Sequence, residues 1–320
     1  FYYFLEVLEM ALSLIESAKL ALGRDETLKA TVMELYAKGS DIMQYLPFEN
    51  ISGNSMNFNR EQTLPAAGFR ALNEAYSEGS GTVDRVTESL AVAGGDLDVD
   101  VFLIKTGNAD QRGTQESMKI KALSLAMSKT IVKGDVESTP KEFDGLQARC
   151  IGNQKLAAGT TAGGDNLELT YLDKLIDEVD EPTHLLMNKT MRRRLSAAAR
   201  LNTVGGYITY ELDAFGRRVT RYNDLPILVA DKDNEYNDVM PFTELGLDGT
   251  TAASTSIYCL SFAENGVVGL QNGDMDVRDM GEIDTKPVYR TRIEWYITLA
   301  ILRARAAARL YSITDAAITA

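Results

Sequence analysis

Met56-Asn57-Phe58-Asn59-Arg60-Glu61-Gln62-Thr63-Leu64-Pro65 is the stretch on which the rest of the chain turns. Met56, Phe58 and Arg60 alternate with Asn57 and Asn59, the period of a strand with one face covered. Upstream, Leu46-Pro47-Phe48 breaks helix; downstream, Ser77-Glu78-Gly79-Ser80-Gly81 is turn-rich. Alternation then returns through Val86, Glu88, Leu90 and Val92, and past Gly94-Gly95 through Leu97, Val99, Val101 and Leu103. The pattern predicts a long, open hairpin over residues 51–100.

Such a hairpin has a physical problem. Two strands alone are at best marginally stable in water, and this pair has too little apolar surface for a core of its own. An arm of about 15–20 residues reaches roughly 50–65 Å at ~3.3 Å per residue, beyond the domain it leaves. It must lie on another surface: an adjacent copy of the chain, or its own domain if it folds back as a flap.

Working outward, Leu5, Leu8, Leu12 and Ile15 share one helical face, and a second helix is predicted from Asp25 to Lys38 with Gly39 as its stop. From Asp110 to Lys133, Ile120, Leu123, Met127 and Ile131 form an apolar stripe; Asn108 or Asp110 is placed to cap it and Gly134 follows its end. Beyond Phe143 short helices and strands alternate. Leu169–Val179 and Thr190–Arg200 read as helix. Thr183–Met187, Val219–Tyr222, Ile227–Ala230, Ile257–Phe262, Val267–Leu270 and the long Val288–Leu302 read as strand. The class is α+β.

Composition excludes several roles. With 33 basic against 46 acidic residues the net charge is -13, which lacks the basic excess of a protein built around nucleic-acid phosphates. The charge is uneven: residues 51–100 hold eight acids against Arg60, Arg70 and Arg85, whereas 101–150 lean basic. The two cysteines, Cys150 and Cys259, lie in apolar runs and read as buried thiols of a protein made in a reducing cytoplasm. The opening Phe1–Leu5 run is interrupted by Glu6 and Glu9, unlike a secretory signal, and no apolar run reaches the length of a membrane span.

Few residues carry a pattern that points to chemistry. The single histidine, His184, sits in a predicted buried strand, with no serine in a nucleophile-elbow context. Without a cluster of Cys and His there are no ligands for zinc or iron. Asp231–Asp238 resembles a calcium loop but carries Tyr236 where the required glycine belongs and Phe242 where the bidentate acid belongs. The clusters Gly159–Gly164 and Gly205-Gly206 lack the lysine of a phosphate-binding loop. Arg192-Arg193-Arg194 is the densest basic run; it reads as a solvated helix face, with a grip on a neighbour's carboxylates or on nucleic acid as the alternative. No catalytic, cofactor or metal residues are assigned.

The order of arm, extended hairpin, long helix, α+β region and late strand resembles the major capsid proteins of tailed double-stranded DNA phages, whose fold is the HK97 fold. The local likeness lies in Leu46-Pro47-Phe48 leading into Met56–Pro65, in Asn108–Arg112, in Lys141-Glu142-Phe143-Asp144-Gly145-Leu146 and in Glu294-Trp295. The resemblance implies an N-terminal arm over 1–50, an E-loop hairpin and the start of a peripheral domain over 51–100, and a spine helix with more peripheral domain over 101–145. It implies an axial domain over 146–275 and a returning peripheral strand over 276–320.

Assembly into pentamers and hexamers of a virion capsid would follow, in the host cytoplasm, with scaffolding, portal and cement proteins as partners and double-stranded DNA inside. Interface residues are then expected at Met56, Phe58, Arg60, Glu61 and Leu64, and more weakly at Arg192, Arg193 and Arg194. Some relatives weld the shell through an E-loop lysine, but no lysine stands between Ile51 and Ile104 here, so no such cross-link is expected. An encapsulin-like nanocompartment and an α+β enzyme with a long flap are the rival readings.

Overall fold

The computed structural model describes residues 12–23, 27–76, 78–106, 111–200, 208–212, 216 and 218–319. The first described helix is Leu14–Gly23, and Leu12–Ser13 before it form a two-residue strand paired with Pro47 and Phe48. Leu12 therefore belongs to a sheet and not to the helix expected around Leu5 and Leu8, which lie outside the described residues. The cause is local. Ser13 Oγ accepts from the N–H of Glu16 at 3.4 Å while the Glu16 carboxylate accepts from the N–H of Ser13 at 2.9 Å, a reciprocal cap that starts the helix at Leu14.

Thr27–Gly39 and the 23-residue Gln111–Lys133 are helical where the apolar spacing placed them, the latter about 35 Å long at ~1.5 Å per residue. The proposed caps Asn108 and Asp110 fall outside the described residues. Ile120, Met127 and Ile131 are buried, and Ser124 Oγ donates to the carbonyl of Tyr36 at 2.7 Å, tying the two helices together. Gly134 closes the long helix, and only glycine fits: a Cβ there would meet the Phe143 carbonyl oxygen at 2.2 Å.

A first sheet of six strands is organised by Val288–Ile301, 14 residues long. One of its edges pairs antiparallel with Ala91–Asp100; the other pairs with Asp276–Glu282 and then Val267–Gln271. Pro47–Asn50 joins Val267–Gln271 in parallel. Trp295 anchors this sheet, with Phe48 and Tyr36 ring centroids at 5.1 and 6.0 Å and its indole N–H donating to Gln271 Oε1 at 2.9 Å.

The second sheet has eight strands. Its path runs Lys155–Ala157, Ala307–Ile313, Ala252–Leu260, His184–Asn188, Leu225–Ala230, Arg218–Tyr222 and Ile208–Leu212, with Glu244–Leu245 added to Ala252–Leu260. The helices Leu169–Asp177 and Lys189–Ala198 share one apolar cluster with this sheet, through Leu172, Leu175, Met191 and Leu195 against Leu185, Met187, Ile227 and Ile257. Leu186, Leu228, Tyr258 and Leu260 join the larger core containing the long helix and Trp295. Burial pushes the thiols of both Cys150 and Cys259 up to about 12.

Two sequence readings are corrected here. The hairpin is Ser55–Thr63 with Thr82–Ser89, and the alternating run beyond Leu90 leaves it: Ala91–Asp100 pairs with Val288–Ile301. Val101 and Leu103, read as a continuation of that strand, lie in the helix Val101–Thr106. Val267–Gln271 belongs to the first sheet and Ala307–Ile313 to the second. The strand Ala307–Ile313 is not predicted, because Arg303, Arg305 and Arg309 interrupt the apolar run after Leu302. In the fold Arg309 is buried, donating to Ser256 Oγ at 2.9 Å and to Glu244 Oε2 at 3.0 Å.

Candidate assembly interface

The hairpin changes character along its length. At its base Met56, Phe58 and Leu90 pack on Val268, Leu270 and Ala300 of the first sheet. The N–H of Ile51 donates to the Gln271 carbonyl at 2.8 Å, and Asn272 Nδ2 to the Gly53 carbonyl at 2.7 Å. Glu88, buried on the returning strand, receives both terminal nitrogens of Arg149, one at 2.7 Å, and Arg149 Nε donates to the Asp144 carbonyl at 2.7 Å. A bidentate guanidinium–carboxylate pair of this kind fixes direction as well as position. It aims the arm.

Past the base, contact with the rest of the chain thins. Arg60 faces Asp84 at 3.5 Å and the hydroxyls of Thr63 and Thr82 lie 2.5 Å apart, both within the hairpin itself. Beyond Thr63 the strands end and the tip is exposed: Leu64 at 78%, Phe69 at 108%, Leu72 at 93% and Tyr76 at 69%. Arg70 holds the tip's own turn, its Nη1 donating to the Glu74 carbonyl at 3.2 Å with its guanidinium 5.0 Å from the Tyr76 ring centroid. An apolar set carried this far out on a two-stranded ribbon has the character of an interaction surface.

The sequence-predicted interface residues thus divide. Met56 and Phe58 cover their own sheet; Arg60 is half-exposed beside Asp84; Glu61 and Leu64 lie open. Phe69, Leu72 and Tyr76 were missed, because no period runs through the tip and apolar residues without period read as loop. The arginine run separates too. Arg194 is committed to Asp315, Nη2 to Oδ1 at 2.8 Å, while Arg192 is half-buried and Arg193 exposed.

The histidine, the acidic loop and the glycine-rich loop are held by structural contacts. His184 is half-buried, with the rings of Tyr45 and Phe262 each 4.9 Å away and Thr183 Oγ1 3.0 Å from its Nδ1; burial pushes its pKa down to about 4. In the Asp231–Asp238 loop the Asp233 carboxylate accepts from Lys129 Nζ and from the N–H groups of Glu235 and Asn237, each at 2.9 Å, so its lone pairs already have protein partners. The Gly159–Gly164 loop folds over Asp165, which accepts from Thr160 and Thr161 in place of any phosphate. Gly205-Gly206 lies outside the described residues. Among the described residues no group of three or more His, Cys, Asp or Glu is placed to hold a metal ion.

Comparison with solved structures defines the fold. The holo-SrpI encapsulin complex from Synechococcus elongatus PCC 7942 matches with a TM-score of 0.61 at 19% identity, covering 87% of this chain and 89% of that one. The capsid of the native GTA particle matches at 0.59, with 16% identity over 86% and 90% of the two chains. A structure from Mycobacterium phage Adephagia matches at 0.59, with 11% identity over 87% and 91%. No curated protein matches the chain. The fold is therefore the HK97-like capsid fold, as the order of elements led one to expect. Residues 24–171, which carry the hairpin and the long helix, match the family described as Major capsid protein GP7. That match covers a little under half of the chain, and with the fold it supports a structural capsid subunit similar to the phage major capsid proteins.

Proposed function

We propose that the protein closes with copies of itself, as pentamers and hexamers, into an icosahedral phage shell around double-stranded DNA, and that it performs no catalysis. The observation that carries this is the arm: anchored at its base by Arg149 and Glu88, and apolar at a tip that its own chain leaves uncovered. A neighbouring subunit supplies the missing surface, with Arg60, Glu61 and Leu64 at the edge of the contact and Phe69, Leu72 and Tyr76 at its centre. Met56 and Phe58 act behind it, by seating the arm. The first sheet with the long helix would form the peripheral domain, and the second sheet the axial domain facing the five- and six-fold axes. Scaffolding, portal and cement proteins would join it during assembly in the host cytoplasm. With no lysine between Ile51 and Ile104, the shell is held by noncovalent contacts.

A second reading, a nanocompartment around protein cargo, is favoured by the match to the encapsulin complex. Negative-stain electron microscopy beside sedimentation velocity tests the proposal: polyhedral shells, or rings of five and six, are expected. A particle whose absorbance ratio shows protein cargo and no nucleic acid would favour the second reading. A monomer under every condition, scaffold included, would overturn both.

A further inference from the structure

One wall of the second sheet breaks the acidic character of the chain. Along the helix Lys189–Ala198 and the facing strand Arg218–Tyr222 run two contiguous cavities of about 300 and 400 Å³, which share Lys189, Arg192, Arg218 and Thr220 as walls. Met191, Leu195 and Ala198 turn the apolar side of the helix into the core, so Lys189, Arg192 and Arg193, spaced by three and four, come out along its groove side. Arg218 faces them from the strand, its guanidinium 3.9 Å from the centroid of the Tyr210 ring, which is 49% exposed.

What makes the groove unusual is the lack of counter-charge. Lys189 pairs with Asp231, and the other acid on the wall, Asp41, accepts the N–H of Val229 at 3.2 Å. Among the described residues, Arg192, Arg193 and Arg218 have no carboxylate partner. In a chain with 46 acids to 33 bases, three guanidinium groups on one wall that meet no acid among the described residues favour an anion between them. Guanidinium forks match the oxygens of phosphate, and Ser196 and Thr220 add hydroxyls to the same wall. An exposed aromatic ring beside cations adds a platform on which a base can stack.

We propose that this groove is a phosphodiester site: Arg192, Arg193 and Arg218 hold the backbone of one strand of nucleic acid, and Tyr210 stacks on an unpaired base. The contacts are to phosphate and so are independent of sequence. Binding resides in one subunit and does not require the arm or a closed shell, so its failure and that of the assembly proposal are separately visible.

The test is fluorescence anisotropy of a labelled 15-nucleotide oligo(dT) with the purified full chain, at sodium chloride from 50 to 200 mM. Binding that weakens with salt at a log–log slope of about −2 is expected for roughly three phosphate contacts on a single strand. Arg192→Glu with Arg193→Glu should weaken binding at least tenfold, and Tyr210→Ala about fivefold for oligo(dT) but less than twofold for a duplex of equal length. A matched reversal away from the groove, Lys121→Glu with Lys141→Glu, should change binding less than twofold, with melting curves confirming that every variant is folded. Absence of binding at 50 mM salt, or equal losses in the groove and control pairs, would overturn the proposal. So would a poly-glutamate peptide that competes better than unlabelled oligo(dT), an outcome assigning the groove to an acidic protein segment.

Discussion

Thr82–Ser89 and Ala91–Asp100 are consecutive strands with the same alternating pattern, yet they meet opposite fates. The first pairs only with its hairpin partner, and most of its residues are exposed. The second lies along Val288–Ile301 over ten register pairs, with Arg290 Nε donating to Asp98 at 2.6 Å and Arg292 Nε to Asp96 at 2.7 Å. Both aspartates are held below the usual carboxylate range by these hydrogen bonds. The difference teaches that alternation marks a strand without saying which strand it meets. One of these is spent on its own sheet, and the other belongs to the arm proposed to meet a neighbour.

Four measurements would break or sharpen that contrast. The largest effect belongs on the sheet side. Trp295→Ala removes the ring shared by Phe48, Tyr36 and Gln271 and should cost about 3–5 kcal/mol of subunit stability, read by urea unfolding. A loss below 1 kcal/mol would show that this sheet is not the core.

The base of the arm comes next. Arg149→Ala leaves the buried Glu88 carboxylate unpaired and should cost about 3 kcal/mol, with faster hydrogen exchange in Thr82–Ser89 than in Ala91–Asp100. Equal exchange in both strands would mean that the ion pair does not aim the arm.

His184, at the start of a strand of the second sheet, provides a pH handle. Its folded pKa of about 4 lies below the roughly 6.5 of an unfolded histidine, so at intermediate pH the unfolded chain binds a proton that the folded chain refuses. Stability contributed by the neutral ring is therefore complete above about pH 6.5 and is lost as pH falls toward 4, by about 2–3 kcal/mol. His184→Leu should flatten that part of the unfolding profile; an unchanged slope would place the titration elsewhere.

The smallest expected change in subunit stability is at the tip. Phe69→Ser with Leu72→Ser touches nothing on its own chain and should alter unfolding by less than about 0.5 kcal/mol. Particle yield should nevertheless collapse, since the exposed apolar surface is the proposed contact. Normal shells from this variant would remove the tip from the interface.

Legibility followed period. Ile120, Met127 and Ile131 announce the long helix because one face of it is buried, and Leu185–Met187 and Ile257–Leu260 announce strands because the core covers them. Arg309 hid the last strand, because its burial depends on Glu244 and Ser256, 65 and 53 residues away. Phe69, Leu72 and Tyr76 were silent for the opposite reason: exposed apolar residues that no face of their own chain covers follow no period.

Amino-acid order alone determined the α+β class, the helices with an apolar stripe, the existence of a hairpin between Pro47 and Asp100, and the lack of a lysine between Ile51 and Ile104. These rest on local spacing and composition, which act between residues near one another in the chain. Only the tertiary structure decided where the arm ends and the sheet begins, which of three adjacent arginines is spent on Asp315, and which residues stay bare at the tip. Those outcomes depend on partners brought together across the chain, and a sequence pattern records that a face is buried without recording what buries it.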